Sequence, residues 1–308
     1  MKTHDLVTRL RAGERRALAR AITVVETGGA PARELLAAVY PHAGQAHLIG
    51  ITGPPGAGKS TLVTALAQAW RRNGATVGII AVDPTSPFTG GAVLGDRIRM
   101  QVLGGDPGVF IRSMASRGRL GGLGRATADA AALLDAAGFE IVLIETVGAG
   151  QGEVDIARAA HTTIVVEVPG MGDDVQSIKA GMLEIADVFV VNKADREGAD
   201  NVVRQLKAML HLGAYDPAAW IPPVLTAVAV QGTGSEAIIA AAAEHVTHLR
   251  SSGQAAVRAQ AAAERELSAA VQELALERLR GPAWADLVAK IAARERDPYG
   301  AAQELFGE

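Results

Sequence analysis

Cysteine is absent from all 308 residues. That excludes disulfides, thiol nucleophiles and thiolate metal sites, and it fits a reducing compartment. Aromatic residues are scarce, at 4% against 49% hydrophobic residues in all, so a core has to be built on Val, Ile, Leu and Ala. The net charge of −3 lacks the basic surplus that accompanies a nucleic-acid-binding face. No apolar run approaches the roughly 20 residues of a bilayer-spanning helix. The opening MKTHDLVTRLRAGERR lacks the apolar stretch of a signal peptide. A soluble, cytoplasmic protein that binds neither nucleic acid nor membrane is expected.

What is present has a clear rhythm. Residues 1–45 read as an N-terminal helical extension, with Leu18, Ile22 and Val25 at helical spacing and TGGAP as a break. Over 46–245 short runs rich in Val and Ile alternate with helical stretches: AHLIGIT, ATVGIIAVD, GVFIRS, FEIVLIE, TTIVVEV, ADVFVVN and PPVLTAV. That alternation predicts an α/β fold, a mostly parallel sheet between helical layers. Residues 246–308 form a C-terminal helical arm. Its long helix carries Leu267, Val271 and Leu274 on one face and ends at Gly281-Pro282; a short one carries Trp284, Leu287, Val288 and Ile291. The arm either packs back on the domain or serves dimerisation.

Between the run HLIGIT and the helical TLVTALAQAW lies GPPGAGKS, which satisfies G-x-x-x-x-G-K-[ST]. Its Gly53, Pro54, Pro55, Gly56, Ala57 and Gly58 are expected to curl so that successive N–H groups face phosphates. Lys59 is expected to neutralise the β and γ phosphates, Ser60 to ligate Mg²⁺, and Thr61 to sit near the α phosphate.

The base is read from NKAD, residues 192–195, behind the run ADVFVV. The Asp195 carboxylate matches guanine N1–H and the 2-amino group, whereas adenine would leave it desolvated and unpaired. Asn192 is expected on the O6/N7 side and the stem of Lys193 over the base plane. The nucleotide is therefore read as GTP, with GDP as product. A second base loop falls at Val228, Ala229 and Val230. It keeps a backbone donor but lacks the serine that GTPases often carry there.

FEIVLIETVGAGQGEVD places Glu145 at a strand end, suited to hold Mg²⁺ through water, and Gly148 three residues on, suited to meet the γ phosphate. Ras-like proteins carry a water-positioning Gln after that Gly. Here Ala149 follows, so slow intrinsic hydrolysis is expected; Gln151 is the nearby catalytic candidate. In DPTSPFTGGAVLGDRIRM, Asp83 and Asp96 are candidate Mg²⁺ and phosphate sensors of a mobile switch.

With GPPGAGKST, DPTSPFTGGAVLGDRIRM, MASRGRLGG, ETVGAGQGEVD, VPGMGDDVQSIKAGMLEIADVFVVNKAD and DPYGAA, the chain resembles the methylmalonyl-CoA mutase-associated GTPases. This is the MeaB/ArgK group, to which the human MMAA protein belongs. The resemblance runs from about residue 14 to the C-terminus. It implies a homodimeric chaperone that gates loading and protection of adenosylcobalamin on an acyl-CoA mutase, which in turn stimulates hydrolysis. By the same resemblance Asp83, Asp96 and Glu145 fall on acidic positions near Mg²⁺, and Lys179 falls on a further switch loop that aids hydrolysis. Two other readings share the P-loop. A nickel-type metal-insertion GTPase needs a soft or imidazole-rich ligand set, but the seven histidines are scattered at 4, 42, 47, 161, 211, 245 and 248. A P-loop kinase needs an acceptor site, and no acceptor motif is found.

Overall fold

The computed structural model describes residues 3–84, 100–116, 125–146, 152–170, 180–212 and 219–307. Each of the seven Val/Ile-rich runs is a strand: β1 (His47–Thr52), β2 (Val77–Pro84), β3 (Val109–Ser116), β4 (Ile141–Thr146), β5 (Thr162–Glu167), β6 (Val188–Asn192) and β7 (Val224–Ala227). They form one sheet in the order β3-β2-β4-β1-β5-β6-β7, and every pairing in it is parallel. The runs are apolar throughout rather than alternating because helices cover both faces; every residue of β5 and β6 is buried.

The order places β1 between β4 and β5. From β1 the chain leaves toward β2 on one side, and from β4 it crosses over β1 to β5 on the other. At such a reversal the loops at the carboxyl ends of the strands part and leave a crevice. Residues 53–58 occupy it.

On one face α4 (Lys59–Arg72) and α9 (Ser235–Ser251) pack Leu62, Leu66, Trp70, Ile238 and Ala242 against Ile49, Ile51, Ile79 and Leu143. On the other, α1 (Thr3–Arg11), α2 (Arg15–Thr27) and α3 (Gly29–Val39) bury Leu10, Leu18, Ile22, Val25 and Leu35. They share one cluster with α5 (Arg125–Ala136) and with Ile80, Val142 and Ile144 of the sheet. The N-terminal helices thus extend the core. Asp135 of α5 fastens the linker that follows them: its carboxylate accepts the N–H groups of Gly44, Gln45 and Ala46 at 2.5, 3.1 and 3.0 Å. A second tie is the ion pair of Arg112 on the edge strand with Glu26.

Among the described residues, the other α-helices of this body are α6 (Gly152–Ala159), α7 (Ala180–Ile185) and α8 (Ala199–Leu212). Helix α6 lies so close to β1 that a Cβ on Gly50 would sit 2.7 Å from Ile156 Cγ1.

Residues up to Ser252 make one compact unit, and those from Gly253 onward make another. The second unit holds α10 (Gln254–Leu279), α11 (Pro282–Ala292) and α12 (Pro298–Phe306). Leu287 and Ala301 are buried there, whereas Leu267, Val271 and Leu274 of α10 are exposed. No helix among the described residues is long and apolar enough to cross a membrane.

Candidate nucleotide site

Glycine is required at both ends of the loop between β1 and α4. Gly53 has φ +140°, and a Cβ there would lie 2.2 Å from the Val166 carbonyl oxygen. Gly58 has φ +85°, and a Cβ there would lie 2.5 Å from Asn192 Nδ2. The loop is closed by the Ala57 N–H donating to the Pro54 carbonyl at 3.2 Å. Lys59, buried at the start of α4, folds its ammonium back into the loop and donates to the carbonyls of Gly53 (2.8 Å) and Pro54 (3.0 Å). A buried cation beside the N-terminus of a 14-residue helix favours an anion. Thr61 is the third residue of that helix.

Ser60 Oγ donates to Glu145 Oε1 at 2.6 Å, and Glu145 is only 2% exposed. A hydroxyl and a carboxylate in contact are the hard oxygen donors that suit Mg²⁺. Asp83 lies on β2 opposite Ala115. Asp96, Gly148, Gln151 and Lys179 lie outside the described residues.

NKAD closes the other side. The Asn192 side chain, 2% exposed, donates from Nδ2 to the Ala57 carbonyl at 2.8 Å and accepts at Oδ1 from the Ala229 N–H at 3.1 Å. Asn192, expected on the O6/N7 side of the base, therefore meets the backbone donor of the second base loop and ties that loop to the phosphate loop. An amide nitrogen carries two hydrogens, so one remains for a ligand. Lys193 holds φ +56° and reaches across to the Gly56 carbonyl at 2.7 Å, which lays its stem over the cradle. Asp195 is exposed in the turn that follows. The second base loop is pinned by Val228 N–H donating to the Thr233 carbonyl at 3.1 Å. Val230 is exposed there.

The sequence pattern gives no sign of three further features. Thr146 Oγ1 donates to Thr52 Oγ1 at 3.3 Å behind the loop, and Glu167 is buried at the end of β5. Four of the seven histidines, His47, His161, His245 and His248, meet near the opposite ends of the strands through Thr162 and Trp220 and through one stacked pair. Among the described residues no group of three or more His, Asp or Glu side chains could hold a metal ion.

Known proteins resemble this chain in sequence and in fold. A relative from Pyrococcus horikoshii is 48% identical over 302 residues, 97% of this chain and 95% of its own length. The GTPase ArgK of Escherichia coli is 40% identical over 257 residues, 81% of this chain and 78% of its own. A crystal structure titled LAO/AO transport system kinase superposes with a TM-score of 0.74 at 28% identity, covering 99% of this chain and 96% of that one. The family model described as methylmalonyl Co-A mutase-associated GTPase MeaB matches residues 18–283, and the chain belongs to that family of P-loop GTPases.

Proposed function

We propose that the protein is a GTP-hydrolysing chaperone that gates loading and protection of adenosylcobalamin on an acyl-CoA mutase, methylmalonyl-CoA mutase or a close relative. The observation that carries the nucleotide part is the Asn192 bridge, which joins the phosphate loop at Ala57 to the base loop at Ala229. With Asp195 exposed beside it, this supports a single guanine nucleotide site.

Ser60 and Glu145 would hold Mg²⁺, with Asp83 and Asp96 as further acidic candidates. When bound, the ion would screen the charge on the β and γ phosphates. In hydrolysis, water bonds to the γ phosphorus as the bridging β–γ oxygen departs. In this reading Lys59 and the first amides of α4 would take up the negative charge that gathers on those oxygens. Ala149 has no group to orient that water, which supports slow turnover in the isolated protein. Gln151 and Lys179 are the candidates to complete the site when the mutase docks. The second unit, with Leu267, Val271 and Leu274 exposed along α10, serves as the dimerisation arm in this reading.

Steady-state GTP hydrolysis, alone and with the cobalamin-dependent acyl-CoA mutase of the same organism, tests it. A slow basal rate that rises sharply with the mutase is expected. A rate unchanged by every such mutase would remove the chaperone role and leave a guanine-specific GTPase.

A further inference from the structure

The nucleotide site uses the carboxyl ends of the strands; a polar chain with no part in it runs across the amino ends. His47 opens β1, Thr162 opens β5, Asp187 immediately precedes β6, and His245 projects from α9. His47 Nε2 lies 2.8 Å from Thr162 Oγ1, and Thr162 Oγ1 lies 2.9 Å from His245 Nδ1. His245 Nε2 is 3.1 Å from Asp187 Oδ1, off the line of an ideal hydrogen bond. Asp187 Oδ2 accepts the Thr163 N–H at 2.8 Å. Thr162 and His245 are both 0% exposed.

Donor counting gives this chain a direction. A carboxylate only accepts, so neutral His245 carries its hydrogen on Nε2, toward Asp187. Its Nδ1 is then an acceptor, and the Thr162 hydroxyl donates to it. The Thr162 oxygen in turn accepts from His47 Nε2–H, which leaves His47 Nδ1 bare. The same four groups have a second complete arrangement. A proton from water bonds to His47 Nδ1, the His47 Nε2–H proton passes to Thr162 Oγ1, and the Thr162 hydroxyl proton passes to His245 Nδ1. One proton has entered, His47 is neutral in its other tautomer, and the positive charge rests on His245 beside Asp187.

The two ends of the chain differ in what stands beside them. Burial first, then the neighbouring His161, His245 and Arg250, push His47 down to about 3, whereas His245 has the Asp187 carboxylate 3.1 Å from Nε2. From α9, His248 and Arg250 border the cluster. From the segment before β7, Trp220 donates Nε1–H to the Asp187 carbonyl at 2.7 Å and sets its ring 5.0 Å from His245 and 5.5 Å from His248. His161 accepts the Leu48 N–H at 3.2 Å, and its ring stacks 6.3 Å from His47.

We propose that Asp187, His245, Thr162 and His47 form a proton-linked relay that latches α9, and through it the second base loop, to the amino ends of the sheet. Protonation of His245 is matched by a change of tautomer at His47. The link to the base loop is mechanical. Helix α9 begins at Ser235 directly behind that loop, and Gly234, with φ +86°, sits so close to β7 that a Cβ would be 2.2 Å from the Thr226 carbonyl oxygen.

The test uses the full chain with ¹⁵N-labelled histidine, observed by long-range ¹H–¹⁵N correlation across pH. As His245 becomes doubly protonated, Nδ1 and Nε2 of His47 should exchange pyridine-like and pyrrole-like shifts over the same interval. Thr162→Val, of nearly equal volume, should fix His47 in one tautomer, and Thr162→Ser should restore the coupling. A His47 that keeps one tautomer while His245 titrates, a His245 that stays neutral until the chain unfolds, or coupling that survives in Thr162→Val would each overturn the relay. The second readout rests on the guanine reading above: release of fluorescent GDP should change several-fold over that interval in the wild type and in Thr162→Ser, and stay flat in Thr162→Val. The same pH response in all three chains would overturn the link to the base loop. If no guanine nucleotide binds, the functional reading fails, and the histidine shifts still decide the relay.

Discussion

At the residue scale, guanine preference is assigned to Asp195 and the integrity of the site to Asn192, two positions three apart with different burdens. Asp195 is exposed, so changing it should alter recognition and leave the fold intact. Asp195→Asn replaces a pure acceptor with a donor–acceptor pair. It should weaken GDP binding by about 100-fold or more, because two charge-assisted hydrogen bonds are worth roughly 1.5–3 kcal/mol each. Binding should shift toward xanthosine diphosphate, whose 2-oxo group accepts where guanine's amino group donates. Calorimetric titration with both nucleotides reads this; unchanged GDP affinity would sink the assignment. Asn192 contrasts in every respect: it is buried and bonded on both sides to backbone. Gly58 cannot be anything larger while that amide is in place, so the glycine of the phosphate motif and the asparagine of the base motif are one steric unit.

At the element scale, the helix α5 and the linker after α3 depend on one carboxylate. Asp135→Ala should leave the N–H groups of Gly44, Gln45 and Ala46 without their acceptor. The expected cost is about 1–3 kcal/mol, read as a lower urea midpoint. A midpoint equal to wild type would mean that water replaces the carboxylate at no loss. This tie was not legible in the sequence, because the partners stand about ninety residues apart and Asp135 sits in an Ala-rich helix with nothing to mark it. The strands were legible, since burial on both faces writes seven continuous apolar runs. The phosphate loop was legible because its backbone demands glycine at fixed spacing. Less was legible where a side chain has two uses: NKAD announces Asn192 as a base ligand, while its bond to Ala57 needs the fold to bring β6 beside the loop after β1. The histidines looked scattered for the same reason. Three parallel strands gather their amino ends in space, and only the sheet order shows that His47, Thr162 and Asp187 meet. Helix α12 was missed as well, although Asp297 caps it by accepting from Tyr299 and Gly300 and Pro298 follows in the position that favours a helix start.

At the scale of the whole molecule, the sheet separates two polar regions, the candidate nucleotide site at one end and buried imidazoles at the other, and the second makes stability depend on pH. In the unfolded chain His47 takes up its proton near the ordinary value of about 6.5. In the folded chain burial, with the neighbouring His161, His245 and Arg250, holds it at about 3. Between those limits the unfolded state binds the extra proton, so stability falls as pH falls, by up to about 1.4 kcal/mol per pH unit from this residue alone. Above that interval the contribution is full and flat. Carboxylates act lower on the scale: Asp106, held down by Arg71 and the Gly108 N–H, and Asp297, held down by the amides of α12, lose their contribution only as they protonate in the acid range. The stretch between pH 5 and 6.5 therefore leaves those carboxylates out, and a variant at position 47 reads this histidine's share of the slope. His47→Gln keeps a donor toward Thr162 and removes the titrating ring. Its urea midpoint plotted against pH should be flatter than that of the wild type over that stretch and should run parallel to it above pH 7. Parallel curves throughout would place the pH dependence elsewhere and show that the amino ends of the strands do not feel the charge that the fold keeps off His47.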